Sequence, residues 1–420
     1  MANIISRPRG TLDLFYDDCK LMEIIKSKLI FETSKYGFAY VDIPCFEESK
    51  LFHRGVGESS DIVRKETFDL ISKGDKEYTL RPEFTASINR AVIENKFYAL
   101  PSLPLRYSYF GKAFRYERPQ VGRYREFHQF GVEVLDTKID IDSTIDTLLL
   151  AINSAKTILG NIDIKLRINF LGSLSSRENY KKALYLFFKD KISNMCEDCK
   201  RRLETNPLRI LDCKVKEDQE IIKSSPKITN YLNKEDQEEY EKIKSYLTSL
   251  NIQFVEDDNL VRGLDYYTGL VFELYSESDV GAIGGGGKYS SLMKDIGGPE
   301  FEGIGFSFGV ERLVLSLNDD RKKILLSKVD DSLDYFIINL NKDFTSLKIA
   351  NILREKNYKV TIPSANRSLN GALKMADRMK AKKVLIIEND VCKIKDMETR
   401  NQEEIKLSQL ILKLEKGGNI

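Results

Sequence analysis

Between Phe114 and Leu135 the chain reads FRYERPQVGRYREFHQFGVEVL, which interleaves Arg115, Arg118, Arg123 and Arg125 with aromatic rings and with Glu117, Glu126 and Glu133. Guanidinium forks grip phosphate and carboxylate oxygens, aromatic faces stack on flat ligands, and carboxylates accept from ligands rich in donors. Pro119 and Gly122 read as a turn between two strands. Alternation places Ala113, Arg115 and Glu117 on one face of the first strand. It places Phe127, Gln129, Gly131 and Glu133 on one face of the second, with Phe130, Val132 and Val134 turned toward a core. The polar face is a concave site for an anionic ligand that also carries donors. A hairpin stitched only by salt bridges is the structural alternative.

Two glycine-rich stretches fail as phosphate loops. In AIGGGGKYS, Ala282 replaces the first glycine of that pattern, and Tyr289 follows Lys288 where Ser or Thr is required. GIGFSFGVER lacks the spacing of a dinucleotide fingerprint. As a strand it directs Ile304, Phe306 and Phe308 one way and Gly303, Gly305 and Ser307 the other, a bare face that a flat ligand can approach. The helix that follows has Val310, Leu313, Val314 and Leu317 on its apolar side. Arg312 lies in its first turn, off that side, where anions are favoured.

The elements that must hold these residues follow from periodicity and punctuation. YDDCKLMEIIKSKLIFETSKYGF, TASINRAVIENK (with Thr85 as its cap) and IDSTIDTLLLAINSAKTIL read as helices. AYVDIPCFE, broken at Pro44, EYTLRPEF, KLRINFLG and LVRGLDYYTGLVFELY read as strands. From about 173 to 250 the sequence is helical and highly charged, an insertion between strand-rich segments. After about residue 320, DYFIINL, KVTIP and KKVLIIE alternate with TSLKIANILREKN and SLNGALKMADRMKA, the pattern of a small α/β domain with a mostly parallel sheet. There, residues 331–420 hold 17 Lys and Arg against 12 Asp and Glu. The excess around Lys374–Lys383 is either a solvated helix face or a nucleic-acid contact.

At 420 residues, 31% charged and 42% hydrophobic, the chain is long enough for several packed domains and unlike a disordered protein. Its formal net charge of +2 argues against a general polyanion-binding surface. No apolar run reaches membrane-spanning length, so the expectation is a cytoplasmic protein with no membrane partner. Cys19, Cys45, Cys196, Cys199, Cys213 and Cys392 form no disulfide framework. CEDCKRRLETNPLRILDC holds a C-x-x-C pair and a third cysteine. A zinc site usually takes four Cys or His ligands and neither His53 nor His128 lies nearby in sequence, so free thiols and no tightly bound metal are expected, with a structural zinc as the alternative.

Taken together, these stretches resemble the histidyl-tRNA synthetase family of class II aminoacyl-tRNA synthetases over nearly the whole chain. RPRGTLDL resembles the family's opening motif, FRYERPQVGRYREFHQFGVEVL its motif 2, and GVER its motif 3. LVRGLDYYTGLVFE and IGGGGKYSSLM resemble its two histidine-specific motifs. The resemblance implies an α+β catalytic domain with an antiparallel sheet over 1–325, a helical insertion at about 173–250, and a C-terminal α/β anticodon-binding domain over 328–420. It implies ligation of L-histidine to tRNA(His) with ATP, carried with Mg2+, and a homodimer paired through the region around Pro44.

By the same resemblance Arg115 and Arg262 are catalytic, at the α-phosphate. Glu83, Phe84, Thr85, Gln129, Glu133, Tyr266, Tyr267 and Tyr289 bind histidine, and Arg115, Glu117, Arg123, Phe127 and Arg312 bind ATP. Phe84, Lys288 and Ser290 depart from the commoner family pattern, which bears on the shape of the histidine pocket. The competing reading is a synthetase-like regulatory subunit of ATP phosphoribosyltransferase. Such proteins generally lack the anticodon domain and tend to lose the ATP-site arginines, both of which this chain has. A class II synthetase for another amino acid conflicts with LVRGLDYYTG.

Overall fold

The computed structural model describes residues 4–57, 60–71, 74–278, 280–341, 343–364, 366–416 and 418. The chain divides into two compact units, Met1–Leu326 and Ser327–Ile420. In chain order the first contains β1 (Ala39–Tyr40), β2 (Phe46–Glu48), β3 (Phe68–Leu70), β4 (Tyr78–Leu80), β5 (Leu105–Phe114) and β6 (Glu126–Asp136). Then come β7 (Ile164–Phe170), β8 (Phe254–Glu256), β9 (Tyr267–Ser276), β10 (Ala282–Tyr289) and β11 (Glu302–Gly309).

These strands build one large sheet in the order β1-β5-β6-β11-β10-β9-β7-β8, beside a small sheet β2-β4-β3. From β5 to β7 every neighbouring pair of the large sheet is antiparallel; only the edge pairs β1/β5 and β7/β8 are parallel. Strand alternation gives that sheet two unlike faces. Phe130, Val132, Val134, Ile304, Phe306 and Phe308 are buried in the main core. The helices Tyr16–Ser34 and Ile141–Leu159 pack on one another, and both contact the sheet. Asp140 caps the second helix by accepting the Ser143 N–H at 2.8 Å, worth about 1 kcal/mol, and Gly160 ends it at φ 71°.

The other face is floored by small residues. Register aligns Gly131 with Ser307, Ser307 with Gly285, and Gly285 with Glu273. The next row aligns Glu133 with Gly305 and Gly305 with Gly287. The bare face expected for a flat ligand is used differently. A side chain at Gly305 would collide with the Glu133 carboxyl, and one at Gly303 with the Tyr289 ring. The gap at Gly131 is likewise filled, by the Tyr109 hydroxyl end. The glycines admit the protein's own pocket side chains.

Three local expectations need correction. The first hairpin strand ends at Phe114, so Arg115 and Glu117 lie in the loop 115–125 rather than on a strand face. Residues 260–266, read as part of a strand, form an irregular loop before β9. Thr85 begins the helix Thr85–Glu94 instead of capping it; the Glu83 carboxylate accepts the N–H groups of Thr85 and Ala86 at 2.5 and 2.9 Å.

The insertion is helical as its sequence implied, from Leu174–Lys189 through Glu197–Thr205 and Lys216–Ile222 to Lys234–Ser249. In the second unit the strands are β12 (Leu333–Asn339), β13 (Val360–Thr361), β14 (Ala381–Glu388), β15 (Val391–Asp396) and β16 (Gln402–Lys406). The sheet is mixed: β13, β12 and β14 run parallel, and β15 and β16 add antiparallel. Tyr335, Ile337, Leu385 and Ile387 pack with apolar residues of Thr345–Glu355 and Leu407–Glu415, and Phe336, Ile338, Val384 and Ile386 with those of Leu369–Arg378. Lys380 pairs with Asp331, and Lys382 with Asp330 and Asp334, so part of the basic cluster is answered within its own unit. Among the described residues, no helix is long and apolar enough to cross a membrane.

Candidate active site

Two adjoining cavities open on the glycine-floored face. The deeper, of about 30 Å³, is lined by Glu83, Thr85, Gln129, Glu133, Tyr266, Tyr267 and Tyr289, with Tyr109 added. The outer, of about 320 Å³, is lined by Glu117, Arg123, Phe127 and Arg312. Arg115, Gln129, Arg262 and Ser307 border both.

The deep pocket holds a polar network. Glu133, 2% exposed, accepts from Thr85 Oγ1 at 2.6 Å and from Tyr289 OH at 2.8 Å, one on each carboxyl oxygen. Tyr289 OH accepts in turn from Asn89 Nδ2 at 3.3 Å. Gln129 Nε2 donates to Ser307 Oγ at 3.0 Å. Its Oε1 and the Tyr266 OH, both buried, have no hydrogen-bond partner among the described residues, and a bound donor or acceptor would satisfy them. The rings of Tyr266 and Tyr267 lie 4.7 Å apart, and those of Tyr266 and Tyr289 5.4 Å apart.

Burial pushes the Glu133 carboxyl up to about 8, with the nearby Glu83 carboxylate adding to the rise and the Thr85 and Tyr289 hydroxyls opposing it. Burial also raises Glu83, against the opposing pull of the helix N–H groups and Arg115. The pocket is therefore rich in hydrogen-bonding direction, and its Glu133 carboxyl is held toward the neutral form.

The outer cleft holds its guanidiniums in fixed directions. Arg115 donates from Nε to the Pro82 carbonyl at 3.0 Å, and its guanidinium lies 5.3 Å from the Phe127 ring centre. Arg312 donates to the carbonyls of Gly122 and Ala282 at 2.9 and 2.6 Å. Arg123 stands 3.5 Å from Glu117. The other loop arginines do not line the cleft: Arg125 lies over the Tyr116 ring at 3.9 Å and takes the Gly10 carbonyl on its N–H at 2.8 Å, and Arg118 is exposed.

Arg262 pairs with Glu273, whose other oxygen accepts from Tyr275 OH at 2.6 Å. Gly285 makes this possible, because a Cβ there would lie 2.8 Å from Arg262 Nη1. The loop carrying Arg262 is fastened to the helical insertion. Arg209 donates to the Gly263 carbonyl at 2.7 Å, Asn206 to Asp265 at 2.9 Å, and Arg177 to the Asp265 carbonyl at 3.2 Å.

Phe84 is the one expected histidine contact that lines neither cavity. Its ring is buried behind the pocket, stacked on Tyr109 at 4.3 Å and covered by Arg81 at 3.9 Å. Lys288, another departure from the family pattern, turns away to the Ile139 carbonyl at 3.0 Å and Glu302 at 3.2 Å. Sequence reasoning missed Tyr109, Asn89, Glu273 and Arg209. Tyr109 sits in register opposite Gly131, and Glu273 opposite Gly285, so each large side chain fills the space beside a glycine. That pairing exists only once the strands are aligned.

An antiparallel sheet with a carboxyl-and-tyrosine pocket opening into an arginine cleft at its motif 2 hairpin defines the catalytic unit of a class II aminoacyl-tRNA synthetase. The histidyl-tRNA synthetase family model matches residues 10–313, and the anticodon-binding-domain model matches residues 334–417. The chain belongs to the histidyl-tRNA synthetase family.

The histidine–tRNA ligase of Staphylococcus haemolyticus (strain JCSC1435) is 39% identical over 421 residues, which is 97% of this chain and 98% of that protein. The crystal structure of apo S. aureus histidyl-tRNA synthetase aligns with a TM-score of 0.77 at 33% identity, covering 98% of this chain and 100% of that one. A Bacillus halodurans C structure described as an ATP phosphoribosyltransferase regulatory subunit/histidyl-tRNA synthetase aligns at a TM-score of 0.63 and 20% identity over 92% of this chain and 99% of that one, a likeness of fold.

Proposed function

We infer that the chain is a histidine–tRNA ligase. It activates L-histidine with ATP to histidyl-adenylate, releasing diphosphate, and transfers the histidyl group to tRNA(His), releasing AMP. The observation that carries this reading is the buried Glu133 carboxyl, fixed between Thr85 and Tyr289 at the end of an arginine cleft. A neutral imidazole offers one N–H and one acceptor nitrogen. Glu133, titrating near neutrality, suits either. Glu83, Thr85 and Gln129 hold the α-amino group, and Tyr266, Tyr267 and Tyr289 enclose the ring.

Attack of the histidine carboxylate on the α-phosphate needs alignment and charge neutralisation more than proton transfer. Arg115, on the wall shared by both cavities, touches carboxylate and α-phosphate together. Arg262 stabilises the charge that builds there as the new P–O bond forms and diphosphate leaves. Phe127 and Arg312 sandwich the adenine, Arg123 meets the outer phosphates, and Glu117 faces the nucleotide.

Magnesium arrives with the ATP phosphates as part of the substrate, and its charge offsets theirs. Glu117 and Glu273 present carboxylates to the same cleft, each beside an arginine. Residues 1–325 serve as the catalytic domain, and residues 328–420 bind the anticodon part of tRNA(His). A homodimer paired through the region around Pro44 and a cytoplasmic location complete the reading.

The retained Arg115, Arg262 and Arg312, with the second unit present, support the ligase over a regulatory subunit. ATP–pyrophosphate exchange with each of the twenty amino acids in turn is the test. Stimulation by histidine alone is expected; exchange driven by another amino acid, or by none, would overturn the assignment.

A further inference from the structure

The helical insertion holds a cluster that the aminoacylation site does not use. Cys196 immediately precedes the helix Glu197–Thr205, and Cys199 lies in that helix's first turn. Cys213 follows the short turn Pro207–Asp212, and Asp218 lies in the helix Lys216–Ile222. Cys199, Cys213 and Asp218 are 0%, 5% and 1% exposed, and Cys196 is half-buried. One potential ligand atom from each residue falls in a group within 4.8 Å of one another, and among the described residues this is the one such cluster of three or more His, Cys, Asp or Glu. The sequence pointed to three cysteines and looked for a histidine; the fourth ligand is an aspartate.

We propose that Cys196, Cys199, Cys213 and Asp218 bind one zinc ion as a structural Cys3Asp site. The spacing within the cluster fits the metal. Tetrahedral Zn–S bonds of about 2.3 Å place two sulfurs about 3.8 Å apart, and a Zn–O bond of about 2.0 Å places a sulfur and a carboxylate oxygen about 3.5 Å apart. Cys196 Sγ and Cys213 Sγ are 3.8 Å apart, and Cys213 Sγ is 3.2 Å from Asp218 Oδ2. The same sulfur separation is far beyond a disulfide bond of about 2.05 Å. C-x-x-C followed by a distant third thiolate is a zinc-type spacing, and four protein ligands close the coordination shell, as structural rather than catalytic zinc requires. The Cys196 N–H donates to both Asp218 oxygens at 3.2 Å, which orients the carboxylate toward the sulfurs.

The position of the cluster gives the ion a use. Its ligands bracket residues 206–209, and Asn206 and Arg209 from that segment hold Asp265 and Gly263 in the loop that carries Arg262. Closing the bracket with a metal fixes the segment from both sides. Arg209 and Asp212 also line the outer cleft.

The test is metal analysis of the full-length protein, produced in zinc-supplemented medium and purified without chelators under reducing conditions. About one zinc per chain is expected, released stoichiometrically when a mercurial blocks the thiols. Cobalt(II) added to the metal-stripped protein should give the intense thiolate-to-metal absorption of a tetrahedral site. Cys199→Ser and Cys213→Ser should abolish binding, Asp218→Asn should weaken it at least about tenfold, and Cys45→Ser should leave it unchanged. Because a cysteine variant can fail to fold, the cobalt titration of the unaltered chain decides. Folded, reduced protein that takes up less than about a tenth of an equivalent of zinc and shows no thiolate–cobalt band would overturn the proposal. So would a Cys196–Cys213 disulfide in the purified protein.

Discussion

The deep pocket and the arginine cleft share a wall and follow opposite rules. In the pocket, polar groups are tied to one another: both oxygens of Glu133 are taken by hydroxyls and both oxygens of Glu83 by helix N–H groups. In the cleft, Arg115 and Arg312 are tied to main-chain carbonyls. A carbonyl fixes a guanidinium's direction without cancelling its charge, whereas a carboxylate does both. Arg115 and Arg312 thus keep their charge uncancelled by a carboxylate contact, and the pocket offers a shaped set of donors and acceptors. Selectivity for a small ligand comes from such shape, because a site built around a hydrogen bond penalises ligands that cannot make it. Rate comes from charge fixed where the transition state needs it.

Arg262, like Arg123 and unlike Arg115 and Arg312, does have a carboxylate partner, and altering it should give the largest effect. Arg262→Ala should slow single-turnover adenylate formation by about two to three orders of magnitude, or roughly 3–4 kcal/mol of transition-state stabilisation. Histidine affinity should change much less. Arg262→Lys should recover only part of the rate, because a point charge lacks the two-pronged fork. If the alanine variant forms adenylate at the parent rate, Arg262 serves only to pair with Glu273 and the two regions do not divide as described.

A milder disturbance reaches the same guanidinium from beneath. The Cβ introduced by Gly285→Ala would lie 2.8 Å from Arg262 Nη1 and 2.5 Å from the Phe272 carbonyl. Overpacking of this kind costs about 1–3 kcal/mol, here shared between stability and the position of Arg262. Adenylate formation should fall by roughly tenfold with the histidine requirement little changed. A lowered melting temperature with an unaltered rate would mean that the contact shapes the sheet and not the site.

A further effect concerns the pocket without ligand. A carboxyl held at about 8 when folded, against an ordinary value of 4.5, keeps a proton that the unfolded chain has released. Its contribution to stability therefore falls as pH rises between those two values, at about 1.4 kcal/mol per pH unit in the middle of the window. Glu133→Gln mimics the protonated carboxyl. Its melting temperature relative to the parent should rise steadily from pH 5.5 to 7.5 and level off above about pH 8.5. A difference independent of pH would place the Glu133 proton elsewhere.

The sequence made much of this legible, and the failures share a cause. Phe130, Val132 and Val134 alternate with Gln129, Gly131 and Glu133, so period alone separates core from site along β6. Helix 141–159 could be read from its periodicity and the insertion from its charge. What could not be read was which residue answers which glycine across strands. Tyr109 over Gly131 and Arg262 against Gly285 depend on register, and register is set by pairings far apart in the chain. Phe84 failed for a related reason: Arg81 and Tyr109 capture its ring behind the pocket, and only the folded hairpin brings Tyr109 there. Asp218 escaped because a carboxylate in a charged helical segment looks like any solvated one until Cys213 is beside it.

The division of labour between pocket and cleft is tested most directly by ATP–pyrophosphate exchange in Glu133→Ala, with histidine and ATP varied in turn. Loss of the buried carboxyl should raise the KM for histidine at least about a hundredfold and leave the KM for ATP within about twofold. Equal rises in both constants, or a selective rise for ATP, would contradict the placement of histidine in the deep pocket.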